Sequence, residues 1–178
     1  MEVTKELLFN MCPTSKDDVV EGVSRYLTKF SGFYDVNTKL RMAHFLAQAA
    51  HESAHFRTLH EYATGEAYEG RKDLGNLKPG DGKRYKGRGI FQVTGRANYK
   101  KYGELLGIDL ETNPEIASHP DISVRTALEY WRYHKLNAKA DLDDVVGITK
   151  TINGGTNGLT ERIAYLNKAK KLLDQIPS

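Results

Sequence analysis

The sequence has a single cysteine, Cys12, among its 178 residues. One cysteine excludes an intramolecular disulfide, so the fold must hold without such cross-links. This is typical of a chain that folds in a reducing cytoplasm, where we expect the protein to reside. The start, MEVTKELLFNMCPTSKDD, lacks the basic region and long apolar run of a secretory signal. No apolar run approaches the roughly 20 residues that span a bilayer, so we expect no stable membrane insertion.

A strong charge bias is also missing. The net charge is +3 and the sequence pI is about 8.8, with 39% hydrophobic and 28% charged residues. These values are ordinary for a soluble globular protein and mildly favour encounter with anionic polymers without choosing among them. The length and the absence of repeats or linkers predict one catalytic domain over residues 1–178, with no separate binding module.

Apolar residues at helical spacing predict a mostly α-helical chain. After an N-terminal helical part of about residues 1–36, the longest predicted helix begins at Asn37 or Thr38 and runs to about residue 56. Asp121 is the expected N-cap of a later helix. The other helices are predicted at 16–30, 96–106, 121–135, about 141–152 and about 159–174.

The middle of the chain has a different character. Residues 62–95 hold eight of the sixteen glycines and show no helical period. They predict a long loop with a small irregular or β element around residues 84–95, where Ile90, Phe91 and Val93 cluster. A loop of this length inside a compact domain is usually functional.

The stretch HESAH allows two interpretations. His51 and His55 have the i, i+4 spacing of a helical zinc site, with Glu52 as its general base, which would suit a zinc protease or amidase. The extended form of that motif requires glycine at Thr58 and histidine at Glu61. Since neither is present, we favour a structural role for both histidines and expect no metal.

The second interpretation pairs Glu52 with Glu61, nine residues later. On one straight helix these carboxyls would lie roughly 13.5 Å apart on opposite faces. If the helix stops near residues 56–60, they can flank a cleft at the ~6.5–9.5 Å spacing of an inverting glycosidase. Apolar helical neighbours would keep Glu52 protonated as the acid, and Glu61 would stay ionised as the base.

Several motifs occur in the order of a known family: RMAHFLAQAAHESAHFRTL, then GRGIFQVT with NY shortly after, then INGG. Over about residues 39–165 the chain resembles glycoside hydrolase family 19, which contains chitinases and similar phage endolysins. The resemblance implies a mostly α, lysozyme-like α+β fold, with two lobes around a central cleft. It also implies hydrolysis of β-1,4 bonds between amino sugars, with no cofactor.

The resemblance assigns roles residue by residue. Glu52 falls on the general acid, Glu61 on the base, and Thr94 on the hydroxyl residue that positions the attacking water. The expected substrate-binding and supporting residues are Gln92, Asn98, Asn153, Arg162, Tyr85 and Arg88. Independently of the family, Gln92 and Thr94 would point to one face of an extended segment.

Two departures from plant chitinases bear on the substrate. The chain lacks their cysteines, and its segment 62–84 is short. Both favour the endolysin-like members and bacterial peptidoglycan, with chitin as the alternative. Such an enzyme would wait in the cytoplasm, as a monomer, until a separate membrane-permeabilising protein releases it to the cell wall.

Three basic or aromatic segments leave other readings open. KRYKGRG at 83–89 would suit a nucleic-acid or other polyanion binder, but we favour a solvated loop at the mouth of a glycan cleft. The cluster of Tyr130, Trp131 and Tyr133 would suit a sugar platform, but we favour core. The basic C-terminal helix would suit a membrane surface, but we favour packing with its lysines in water.

Overall fold

Helices dominate the fold, as predicted. The computed structural model describes residues 1–177, which contain nine α-helices and four short 3₁₀ helices. The α-helices are α1 (Lys5–Met11), α2 (Asp17–Phe30), α3 (Lys39–Glu52), α4 (Asp81–Arg84), α5 (Arg96–Leu106), α6 (Pro120–Tyr133), α7 (Leu136–Asp141), α8 (Val145–Asn153) and α9 (Leu159–Asp174). The 3₁₀ helices are Ser31–Tyr34, Glu66–Tyr68, Lys72–Leu74 and Pro114–Ser118. None of the helices within residues 1–177 is long and apolar enough to cross a membrane.

Two predicted helix boundaries in the C-terminal half are wrong. The segment expected as one helix over about 141–152 is divided between α7 and α8, because Asp143 takes a left-handed φ of 55°. α8 begins only after Asp144, whose side chain accepts from the Gly147 amide. Asp121 lies in the first turn of α6 rather than at its cap, since His119 is the N-cap and Pro120 occupies the first position.

The central helix α3 begins as predicted, with the Thr38 side chain accepting a hydrogen bond from the Arg41 amide. Every residue from 42 to 50 is buried, and α3 packs along α9. Such complete burial explains why the helix carries so many alanines: small side chains let neighbouring helices approach on several sides. It fixes the position of the residues at the C-terminal end of α3.

α3 ends at Glu52, four residues earlier than predicted. The Ser53 hydroxyl donates to the Ala49 carbonyl at 2.6 Å and accepts from the Phe56 amide at 3.0 Å. These local bonds compete with helix continuation. Residues 54–56 then take positive φ values of 50–66°, which turn the chain back. The predicted break exists, and it places Glu52 at the helix terminus.

Two buried clusters form the two lobes. The larger surrounds α3, while the smaller includes Tyr85, Val93, Tyr99, Tyr102 and Leu110. α6 joins them, because its residues enter both clusters and Tyr130 packs against each. The predicted mostly α architecture with two lobes is therefore confirmed.

The middle segment is irregular. Its β structure consists of isolated antiparallel bridges, which join Arg88 to His60 and to Val93. Between Arg88 and Val93 the chain makes a tight turn in which Gln92 has a φ of 55°. The segment thereby brings the residues around position 92 back toward the end of α3.

Candidate active site

Glu52 is held by an arginine from α9. The Arg162 guanidinium donates through Nη2 to Glu52 Oε1 at 2.7 Å. The Arg162 side chain is 1% exposed and that of Glu52 is 22% exposed. The apolar surroundings expected for Glu52 are therefore wrong, because a buried cation contacts its carboxyl. The supporting role expected of Arg162 agrees with this contact.

Arg162 is itself fixed by a buried polar network. Its Nη1 donates to Gln48 Oε1 at 2.6 Å, and its Nε donates to the Asn157 carbonyl at 3.1 Å. Gln48 Nε2 donates in turn to Thr149 Oγ1 at 3.2 Å. Neither Gln48 nor Thr149 was predicted from the sequence. The available signal was a glutamine on an otherwise apolar helix, one turn before Glu52.

Glu61 has one anchored and one unpartnered carboxyl oxygen. The Tyr68 hydroxyl donates to Glu61 Oε2 at 2.9 Å, while Oε1 is buried with no hydrogen-bond partner within residues 1–177. Burial, followed by the hydrogen bond to Glu61, raises the pKa of Tyr68, so the phenol remains a donor. An unpaired buried carboxyl oxygen is rare in native structures and is a candidate for a chemical role.

Gly87 lets Glu61 and Gln92 approach each other. The Glu61 amide donates to the Gly87 carbonyl at 2.9 Å. A Cβ at position 87 would lie 2.3 Å from Gln92 Oε1 and 3.0 Å from Glu61 Oε2. A side chain at position 87 would displace the Gln92 amide and crowd the Glu61 carboxyl, so glycine here lets the Gln92 amide lie next to the Glu61 carboxyl.

A cavity of about 290 Å³ adjoins these groups. Gln92, Thr94 and Asn98, which the resemblance assigned to the sugar cleft, line this cavity, and their contact with sugar stays a prediction. The Thr94 hydroxyl donates to the Gln92 carbonyl at 3.3 Å, and Asn98 Nδ2 donates to the Thr94 carbonyl at 2.8 Å. The expected extended segment is wrong, since residue 92 is left-handed, yet both side chains face the same cavity. The rest of the lining is Phe91, Val93, Lys101, Tyr102, Thr126, Ala127, Tyr130 and His134.

Tyr130 links this cavity to Glu52. Burial raises the pKa of Tyr130 to about 12, and the negative charge of Glu52 adds to the effect, so the two groups lie within electrostatic range. Of the aromatic cluster expected in the core, Trp131 is fully buried, whereas Tyr130 lines the cavity and Tyr133 is 56% exposed. The core prediction is therefore correct for Trp131, correct in part for Tyr130, which packs against both clusters, and wrong for Tyr133.

Two predicted cleft residues serve the small lobe instead. Tyr85 is 0% exposed, and its hydroxyl donates to the Glu111 carbonyl at 2.7 Å. Arg88 Nη1 donates to the Tyr99 hydroxyl at 2.8 Å and to the Arg84 carbonyl at 2.9 Å. The burial of Tyr85 contradicts its predicted contact with substrate. The Arg88 guanidinium donates its hydrogen bonds to groups within the protein.

Asn153 lies at the exposed C-terminal end of α8, outside the lining of this cavity. Its side-chain oxygen accepts from the Asn157 amide at 3.3 Å. Since the Asn157 carbonyl accepts from Arg162, Asn153 belongs to the loop that holds the arginine. Its predicted contact with substrate remains a prediction.

The two histidines of HESAH do not form a helical metal face. His51 Nδ1 pairs with Glu161 Oε1 at 2.7 Å. His55 lies beyond the end of α3 with a φ of 66° and contacts the Tyr165 hydroxyl. The zinc motif requires both histidines on one continuous helix. Since α3 ends at Glu52, His51 and His55 do not lie on one helical face. Residues 1–177 contain no group of three or more His, Cys, Asp or Glu placed to hold a metal ion.

The chain is similar in sequence to chitinases and to a glycosyl hydrolase family 19 protein. The family model described as chitinase class I matches residues 14–151. A glycosyl hydrolase family 19 domain-containing protein of Haemophilus influenzae is 34% identical over 189 residues, covering 88% of this chain and 90% of the relative. An endochitinase of Arabidopsis thaliana is 32% identical over 148 residues, covering 82% of this chain, which spans 50% of that protein.

Solved structures agree in fold. Chitinase C from Streptomyces griseus matches with a TM-score of 0.78 at 23% identity, over 99% of this chain and 95% of that one. A bacterial family 19 chitinase matches with a TM-score of 0.80 at 23% identity, over 100% of this chain and 98% of that one. Because both structures are only 23% identical to this chain, the likeness shows a shared fold.

Proposed function

This chain belongs to glycoside hydrolase family 19, and we propose that it hydrolyses the β-1,4 bonds of bacterial peptidoglycan with inversion, using Glu52 as acid and Glu61 as base. That it is a chitinase-like glycoside hydrolase follows from the family. The observation that carries the proposed mechanism is the carboxyl pair. Each carboxyl has one oxygen held by the protein, Glu52 by Arg162 and Glu61 by Tyr68.

Glu52 delivers the proton to the leaving glycosidic oxygen. Arg162 binds Oε1, which leaves Oε2 to carry that proton. As the proton moves to the sugar oxygen, Glu52 becomes a carboxylate and its hydrogen bond to the guanidinium becomes charge-assisted on both sides. The contact therefore strengthens as the transition state forms, which is the condition for catalysis.

Glu61 accepts a proton from the attacking water through Oε1, while Tyr68 holds Oε2. The Thr94 hydroxyl donates to a carbonyl, so its lone pairs remain to accept a hydrogen bond from that water. The water oxygen bonds to the anomeric carbon as the bond to the leaving oxygen breaks. Attack from the face opposite the leaving group inverts the anomeric configuration and requires the predicted carboxyl spacing of ~6.5–9.5 Å.

Peptidoglycan is the proposed substrate because the chain lacks the cysteines of plant chitinases and has a short segment 62–84. Chitin is the second candidate, since its β-1,4-linked amino sugars need the same acid and base. We further propose that the enzyme acts as a monomer on the cell wall, after release from the cytoplasm by a separate membrane-permeabilising protein.

The test of the function is digestion of purified peptidoglycan and of chitin oligosaccharides, with identification of the new reducing sugar and its anomer. We expect reducing amino sugars from peptidoglycan, of inverted configuration, with and without a chelator. Glu52→Gln and Glu61→Gln should each lose activity by about 100-fold or more while remaining folded. Near-normal turnover by either variant contradicts the mechanism. Activity that a chelator abolishes and zinc restores supports a protease or amidase instead.

The two carboxyl roles are separated by changing the leaving group. In an aryl glycoside of an acidic phenol, the phenolate leaves without being protonated. Cleavage of such a substrate therefore needs no general acid. Glu52→Gln should therefore recover most of its activity on that substrate, whereas Glu61→Gln should stay inactive because water still needs a base. The opposite pattern would exchange the two assignments.

A further inference from the structure

The cavity beside the proposed acid and base contains a cation without a counterion. Lys101, on α5, lines the cavity, and no acidic side chain within residues 1–177 pairs with it. The lining itself contains no aspartate or glutamate. An ammonium group with neutral surroundings in a recess is a natural partner for an anion.

This arrangement is not general to the protein surface. The larger hollow of about 760 Å³ on the small lobe is also basic, but its Arg96 is paired with Asp81 at 2.7 Å and with Glu111 at 3.1 Å. Lys83 in the same hollow pairs with Glu66 at 3.0 Å. Lys78 and Arg84 also line that hollow without an acidic partner in residues 1–177, but Asp81 and Glu111 lie in the same lining. The cavity at Lys101 differs because its lining combines a lysine with no carboxylate.

The Lys101 ammonium contacts the Tyr133 ring, which lies outside the cavity lining. Its Nζ lies 3.6 Å from the centroid of the Tyr133 ring, a cation–π contact. The His134 ring lies 4.3 Å from that of Tyr130, centroid to centroid, and lines the same cavity. Burial, followed by the charge of Lys101, lowers the pKa of His134. At neutral pH the histidine is therefore uncharged, and Lys101 supplies the only formal charge of the lining.

We infer that the Lys101 end of the cavity binds a carboxylate carried on the substrate's amino sugar, and so distinguishes peptidoglycan from chitin. This inference rests on the proposed function and specifies its substrate. The sugars of chitin are uncharged. The N-acetylmuramic acid of peptidoglycan carries a lactyl ether on O3, which ends in a carboxylate where the stem peptide has been removed. Where the peptide is attached, its own carboxylates offer the same chemistry.

The test compares Lys101→Met with Lys100→Met, a matched control that removes the exposed neighbouring lysine from the same helix. The substrates are peptidoglycan strands stripped of peptide, the same strands with the lactyl carboxylate converted to a methylamide, strands with intact stem peptides, and chitin oligosaccharides of equal length. Lys101→Met should lower kcat/KM about tenfold or more on stripped strands and leave amidated strands and chitin unchanged. Lys100→Met should leave all four unchanged.

The intact strands identify the source of the carboxylate. A loss confined to stripped strands assigns the lactyl carboxylate alone, and an equal loss on intact strands shows that a stem-peptide carboxylate is bound as well. Equal losses on charged and uncharged substrates, or no loss on any, overturn the inference while leaving peptidoglycan hydrolysis standing.

Failure of the proposed function gives a different result. If the wild-type protein cleaves chitin and no form of peptidoglycan, binding of free N-acetylmuramic acid and N-acetylglucosamine is measured by NMR on the wild type and Lys101→Met. Preference of the wild type for the muramic acid, lost in the variant, supports the site. Equal binding of both sugars overturns it.

Discussion

The substitution Gln48→Met tests whether the buried network behind Glu52 positions the proposed acid. Gln48 is 0% exposed and accepts from Arg162 Nη1 at 2.6 Å. Methionine has a similar volume and shape but accepts hydrogen bonds only weakly, so the change removes two hydrogen bonds without a large cavity. It leaves a guanidinium N–H buried without a strong acceptor.

The stability change can be worked from these contacts. A buried polar group left unpaired costs about 1–3 kcal/mol, and more when the group is charged. The bond from Gln48 to Thr149, at 3.2 Å, is neutral and contributes about 0.5–1.5 kcal/mol. We therefore expect Gln48→Met to lower the free energy of unfolding by about 2–4 kcal/mol, measured in urea. Thr149→Val, which removes only the second bond, should lower it by about 1 kcal/mol.

The activity change follows from the geometry of the guanidinium. Without Gln48, Arg162 keeps its bond to the Asn157 carbonyl but loses the acceptor that fixes its other side. The contact with Glu52 is then less well oriented, and we expect kcat to fall about 10–100-fold with little change in KM. Both variants are assayed at a temperature where circular dichroism shows them folded. Wild-type kcat in folded Gln48→Met would refute the positioning role of the network.

Three further substitutions test the anchoring of the proposed base, one buried ion pair and one close-packed glycine. Tyr68→Phe removes the 2.9 Å donor to Glu61, and we expect a fall in kcat of about tenfold; an unchanged kcat would contradict the anchoring role. Arg96 holds the pKa of Asp81 below its ordinary value of 3.8, so this pair stabilises the fold above that pH and the stabilisation is lost as pH falls below it. Asp81→Asn should accordingly lower the free energy of unfolding at pH 7, and the difference from wild type should shrink as pH falls below 3.8 and disappear below the lowered pKa of Asp81 in the folded state. Gly158→Ala should destabilise by ~2 kcal/mol or more, since φ is 74° and a Cβ would lie 2.2 Å from an imidazole carbon; wild-type stability would contradict the close packing.

The sequence predicted the helices that position the acid but not the point where α3 ends. Helical periodicity and the cap at Thr38 were sufficient for its start, because both are local and repeated signals. The end depends on the Ser53 side chain bonding to Ala49 and on three positive φ values, and none of these alters the apolar pattern. The histidine spacing therefore suggested a zinc helix, although the helix stops before His55.

In the middle segment, the sequence predicted the residue types at the cavity but not the directions of their side chains. Gln92 and Thr94 reach one cavity, but through a left-handed turn and not through the alternation of a strand. The family resemblance placed Tyr85 and Arg88 at the cleft. The structure uses them in the small lobe, where the Tyr85 ring is buried and Arg88 contacts Tyr99. Side-chain direction in an irregular segment depends on tertiary contacts that composition does not specify.

The two proposed carboxyls are fixed by different parts of the fold, and this has a consequence for their spacing. Glu52 is held through α3 and α9, whereas Glu61 is held through Gly87 and Tyr68 of the middle segment. Residues 59–93 join both cores, because Leu59 and Ile90 lie in the larger cluster and Tyr85 and Val93 in the smaller one, and Tyr130 packs against both. Since an inverting enzyme needs room for one water between its carboxyls, packing at Tyr130 constrains the chemistry without taking part in it. Substitutions that loosen this contact should lower kcat while leaving each carboxyl's own hydrogen bonds intact.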